Sequence, residues 1–200
     1  RDRGGGGWEA VVEENGIEVW RKYLPTDTTI AGESLGRSAQ FAAVKARAVL
    51  DAPLSEVYSL FTDNSRVHEY NEYCKEIWDL EWLDETTKVT YSSSGRPWCR
   101  DFVTRVHYTD LEGGAKMVVN RAEEHPQAPR KKGFTRMGMS IGANVMRPLS
   151  DGRTEFTMLT HVNPGGMANT QFGAMVTNKL STESPRAFLV NIGKALERGA

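Results

Sequence analysis

Few residues in this chain could do covalent or metal chemistry, and they do not converge. His68, His107, His125 and His161 are spread along it, with no pair at the spacing that places two imidazoles on one metal. Ser92, Ser93 and Ser94 run into Gly95 without the strand–turn–helix context of a nucleophile, so a polar turn is expected there. Cys74 and Cys99 are too few for a disulfide framework and read as reduced, packed thiols of a cytoplasmic setting. The chemistry left is non-covalent. Met137, Met139, Met146, Met158, Met167 and Met175 fall in the second half of the chain. Their soft side chains suit either ordinary core packing or an apolar cavity of changeable content. Arg130-Lys131-Lys132, with Arg136 close behind, is the one compact basic run. Facing a membrane, each such charge would contribute about 1 kcal/mol near an anionic surface; the alternative is a solvated loop.

These residues are carried by 200 residues with a net charge of -1, 39% hydrophobic and 26% charged, which fits a single globular domain. Near-neutral charge argues against nucleic acid as a partner, because phosphate-backbone binding needs an excess of Lys and Arg. No apolar run reaches the roughly 18 residues of a spanning helix. The chain opens at Arg1 without Met, and Gly4 to Gly7 reads as a linker. Residues 1–7 are therefore expected to be a flexible linker or a remnant of trimming before one domain over 8–200, cut from a longer protein or trimmed.

Period-2 alternation predicts strands at Ile17–Arg21 and Val44–Leu50, the latter with small residues on one face. Pro53 suits a first helical turn, and Leu54, Val57, Leu60 and Phe61 follow at helical spacing. Strands are predicted over Lys88–Ser92, Asp101–Tyr108, Lys116–Arg121, Thr135–Met146 and Thr154–Val162, with turns at Gly113-Gly114 and Asp151-Gly152. Short turns imply an antiparallel meander. After Asn163-Pro164-Gly165-Gly166, the residues Phe172, Met175, Val176 and Leu180 share one helical face. Pro185 interrupts, and Phe188, Leu189, Ile192 and Leu196 resume it. The fold class is α+β, a long amphipathic helix burying its stripe on a curved sheet.

Several segments, in order, resemble the START family of lipid-transfer domains: Tyr70-Asn71, Arg100-Asp101-Phe102-Val103, His125-Pro126, Gly133-Phe134-Thr135-Arg136 and Asn163-Pro164-Gly165-Gly166. The resemblance runs from Trp8 to Leu196. It implies a helix-grip fold, in which an antiparallel sheet, usually of nine strands, wraps the C-terminal helix around a tunnel that holds one lipid. By that resemblance, Arg66, Tyr70, Asn71, Tyr91, Phe102, Thr104, Val106, Ser140, His161, Phe172, Met175 and Val176 are candidate lipid-binding residues. Tyr91 and Phe102 match two walls of an aromatic choline cage and Arg66 matches its phosphate-binding Arg, while Ser140 stands at the third wall. Some relatives carry an interior Arg–acid pair. Here its positions fall on Val106 and near Ser92, so a more apolar tunnel floor is expected, with Arg105 on the opposite face. A Pro after the Gly-Gly turn is replaced by Ala168 and Asn169.

The function expected is therefore lipid carriage: a monomer that holds a phospholipid or sterol, uses no cofactor or metal, and touches membranes transiently as a cytoplasmic, peripheral protein. Residues 165–180 are expected to gate the cup, and Arg130, Lys131 and Lys132 to face the membrane. A lipid-sensing module of a larger protein is the alternative. A helix-grip enzyme such as a cyclase would need an acid–base pair, which Phe102, Thr104 and Val106 do not offer.

Overall fold

In the computed structural model, residues 6–96, 99–170, 173, 177, 178 and 183–199 are described. Alternating apolar and polar side chains form β1 (Glu9–Glu14), β2 (Ile17–Lys22) and β5 (Ala43–Leu50), with a small hairpin of β3 (Thr29–Ile30) and β4 (Glu33–Ser34) between them. Two helices follow, α1 (Leu54–Thr62) and α2 (Val67–Tyr70). The meander then runs through β6 (Cys74–Trp82), β7 (Thr87–Ser94), β8 (Arg100–Asp110) and β9 (Lys116–Ala122). It continues with β10 (Thr135–Arg136), β11 (Gly138–Pro148) and β12 (Thr154–Asn163) before α3 (Glu183–Gly199). The main sheet has the order β1-β2-β5-β12-β11-β9-β8-β7-β6, antiparallel along that path, with β1 and β6 as its outer edges and β10 attached to β8 off it. This is the expected helix-grip architecture.

The structure departs from the sequence reading in two places. The stretch read as one strand from Thr135 to Met146 is two, because β10 pairs in parallel with β8 before β11 joins β12. β1 and β6 were not read: β1 has only two central valines between acidic ends, and two bulges interrupt β6. α3 begins at Glu183 with Pro185 in its first turn, where a missing N–H leaves no bond unmade, and residues 179–182, on the other side of the expected interruption, lie outside the described residues.

Cross-strand register fixes which side chains face α3. One row runs Val12, Val19, Ala46, Met158, Asn144, Val118 and Tyr108 across seven strands. Ala46 and Ala48 leave room for α3, whose Leu189 and Ile192 pack there with Val106, Met146 and Phe156. Phe61 of α1 stacks on Phe156 at 5.4 Å, with Phe188 at 6.4 Å from it. Full burial of such side chains contributes about 1.5–3 kcal/mol each. This end of the concave face is solid.

The opposite, convex face is covered near β7 and β8 by the loop of residues 123–134, here called the strap. Ala128 of the strap seals Val89, Tyr91 and Val103. Its fastening is ionic. Arg136 reaches Asp101 with both arms, Nε to Oδ1 at 3.0 Å and Nη2 to Oδ2 at 2.9 Å, and Nη2 also donates to the Ala128 carbonyl at 3.0 Å. The two side chains are 5% and 1% exposed. Arg100 donates to the Pro164 carbonyl, which ties the turn after β12 to the same strand. Gly165 there has φ +68°, and a Cβ on it would come within 2.9 Å of Thr135 Cγ2. Removing one member of a buried pair strands the other charge. Asp101→Ala should therefore cost about 3–5 kcal/mol in urea unfolding and expose Arg130 to Lys132 to trypsin under native conditions.

Candidate functional site

Beyond the row packed by α3, the concave face changes character. The next rows carry Lys88, Val106, Asn120, Gly142, Thr160 and Val44, then Thr90, Thr104 and Ala122, then Ser92 and Phe102. Ser92, Phe102, Thr104, Asn120, Ala122, Met139, Thr160 and Val162 all keep part of their surface accessible, although they lie on the inner side of the sheet. Met139 bends over Gly142, where an added Cβ would sit 2.8 Å from its Sδ. The result is an apolar surface dotted with hydroxyls and one carboxamide.

The expected apolar floor is corrected by Lys88. It lies directly opposite Val106 on the neighbouring strand, so a charge missing at one position stands beside it on the same face. Its Nζ lies 2.9 Å from Asp79, with side-chain exposures of 3% and 29%. Asn64 completes the group, donating to Asp79 at 2.8 Å and accepting from Lys88 at 3.4 Å. Trp82 and Tyr108 rings lie 5.1 and 5.8 Å from the ammonium. Burial pushes the Tyr108 and Tyr70 hydroxyls far above their ordinary pKa, so both stay protonated donors.

The sequence-predicted residues divide by strand parity. Phe102, Thr104 and Val106 share the concave face, the last of them already in the core. Tyr91 does not join them. It pairs with Val103 while Phe102 pairs with Ser92, and neighbours across a ladder share a face. Tyr91 lies under the strap, 4.4 Å from the Trp78 ring and 4.3 Å from Lys131 Nζ, its hydroxyl buried without a partner. Tyr91 and Phe102 therefore form no common cage. His161 also turns away from Thr160 to the convex side, where Nε2 donates to the Phe41 carbonyl at 3.2 Å. Burial holds it below its ordinary pKa and leaves Nδ1 unpartnered.

Ser140 occupies the bulge of β11 and lines a cleft on the outer face. Arg66 grips Glu69 with two bonds of 2.8 and 2.7 Å and also bonds Ser59, so its charge is already engaged. Tyr70 packs between Phe61 and Phe188, at 5.5 and 5.7 Å, and Asn71 ends α2. Phe172, Met175 and Val176 lie outside the described residues. Arg130, Lys131 and Lys132 are exposed on the strap. Arg105 points outward to Glu123, as expected.

Sequence reading missed Lys88, Asp79, Asn120, Met139 and Thr160 as concave residues. The only signal for Lys88 was a lysine inside a run of β-formers; its meaning depends on the register of the β7–β8 hairpin. Breaking this pair and replacing it should behave differently. Asp79→Ala leaves the ammonium unpaired and should lose about 3–5 kcal/mol in denaturant unfolding, whereas Lys88→Met keeps the volume and should lose much less.

Among the described residues, no helix is long and apolar enough to cross a membrane. A comparison with curated protein sequences finds no match. Solved structures do match in fold. Human StAR-related lipid transfer protein 5 superposes with a TM-score of 0.83 at 21% identity, over 98% of this chain and 89% of that one. Human STARD10 gives 0.82 at 21% identity, over 96% and 74%. A StAR-related lipid transfer protein fragment from Xanthomonas axonopodis gives 0.74 at 20% identity, over 96% and 99%. The motif residues that fasten the strap and the turn after β12 lie inside residues 3–181, the span matched by the sequence model of the START domain, and the chain belongs to that family.

Proposed function

We propose that the protein holds one lipid against the accessible half of the concave face and carries or presents it at membranes. The observation behind this reading is the division of that face. One half is filled by α1 and α3. The other leaves Phe102, Ala122, Met139 and Val162 accessible among hydroxyls, which suits an acyl chain or a sterol body with few polar groups.

Carriage without chemistry fits the side chains on offer: threonines, a serine and an amide, beside one charged pair engaged with itself. Physical constraint supplies the rest. An acyl chain of about 16 carbons gains on the order of 13 kcal/mol on leaving water, at roughly 0.8 kcal/mol per methylene. Release into bulk water is then very slow, and release into a bilayer nearly neutral. Loading and unloading belong at a membrane surface, with the protein peripheral and transient there and the segment after β12 opening to admit the lipid.

Native mass spectrometry of protein purified from cells should find one lipid per chain, and Thr104→Trp, filling the accessible half, should remove it while the protein stays folded. A parent that arrives empty and takes no lipid from vesicles, or a variant as loaded as the parent, would defeat the reading. Hydrogen exchange should also quicken over residues 165–180 when liposomes are added. Strong protection there, unchanged by liposomes, would remove the gate.

A further inference from the structure

The outer face carries a cleft that Ala122 and Met139 of the concave surface border from within. Arg105 and Arg121 stand opposite each other on β8 and β9, at positions pointing away from α3. The strap adds Arg130 and Arg136, and Glu33 of the β3–β4 hairpin forms the far wall. Two adjoining hollows of about 480 and 330 Å³ share Arg121, Arg130, Arg136 and Glu33. They exist because the β9–β11 ladder stops at Asn120 and Gly142 while β11 bulges at Ser140, which leaves a notch in the sheet.

The smaller hollow is lined by three guanidinium groups and one carboxylate, Glu33, while Glu124 and Asp101 pair with Arg130 and Arg136 from outside that lining. The hydroxyls of Ser34, Ser38 and Ser140 and the side chain of Asn163 complete its wall. Asn163 Nδ2 donates to Ser38 Oγ at 3.1 Å, which orients that hydroxyl.

We propose that this cleft binds a phosphate group, borne by a lipid head group or by a small soluble phosphomonoester. Planar guanidinium forks match phosphate oxygens, and hydroxyl donors satisfy those the forks leave. The present counter-ions are replaceable. Glu33 lies 2.9 Å from Arg121 and is 80% exposed; Glu124 lies 2.7 Å from Arg130, both 67% exposed. Exposed pairs of this kind are weak, so a doubly charged ligand can displace the carboxylates. Arg136 stays anchored to Asp101 and gives the cleft a rigid floor. The inference does not rest on the lipid reading, since the guanidinium groups that carry it point away from α3, although Ala122 and Met139 border both the cleft and the concave surface.

The test titrates the full chain with glycerol 3-phosphate by calorimetry and, in parallel, sediments it with phosphatidylcholine vesicles with and without phosphatidic acid. Arg121→Gln should weaken binding roughly tenfold. Glu33→Gln should tighten it by removing the competing carboxylate, and Arg153→Gln, whose partner Asp151 lies elsewhere, should leave it unchanged. Binding of the soluble probe alone identifies a free phosphomonoester, and binding only to vesicles with phosphatidic acid identifies a head group; either supports the site. Binding of neither probe, equal affinity in Arg121→Gln, or no tightening in Glu33→Gln would overturn it. Glu33→Gln alters an exposed side chain, so the test survives should Arg121→Gln fail to fold. Lipid held on the concave face is scored separately by native mass spectrometry, so each reading can fail alone.

Discussion

Arg136 and Asp101 meet almost without solvent, and the arrangement around the sheet follows from that contact. Arg136 is the last residue of β10, and it draws the chain onto β8 in parallel before β11 can begin. The strap is thereby laid over Val89, Tyr91 and Val103, and the turn at Pro164 is held by Arg100 next door. Two charges in such a place are stable only as a fork with its remaining donors used, and the Ala128 carbonyl uses one of them. Motif residues that look like a binding signature in one dimension are here a fastening.

The concave face makes a different use of charge. Lys88, between the Tyr108 row and the Thr104 row, and Asp79, at the end of the latter, sit where the sheet passes from solid packing to accessible surface. An ammonium so placed cannot be left alone, and Asp79, Asn64 and two aromatic rings surround it. The position of interior charge has moved one strand across from Val106 while staying on the same face. A sheet tolerates such a move because cross-strand partners are neighbours in space although distant in sequence.

The fold was legible because its signals are local. Alternation in Ile17–Arg21 and Val44–Leu50, the glycine turns and the helical stripe of Phe188, Leu189, Ile192 and Leu196 each report on a few residues. The site was less so, because facing depends on register. Tyr91 and Phe102 are both aromatic and both in strands, yet an odd–even difference across the β7–β8 ladder puts them on opposite faces. His161 failed the same way, one position beyond Thr160. Ser140 is the extra residue of a bulge, and no composition marks where a bulge falls.

The sheet is an open arc, so its outermost strands expose backbone groups that could template another chain. Each border is acidic: Glu9, Glu13 and Glu14 on β1, Glu76 and Glu81 on β6. On β1, Glu9 and Glu14 are already paired with Arg21 and Arg186, while the bulges of β6 spoil the straight row that stacking needs. A border so bulged offers an approaching chain no continuous ladder to extend, so β6 is guarded by its own irregular geometry.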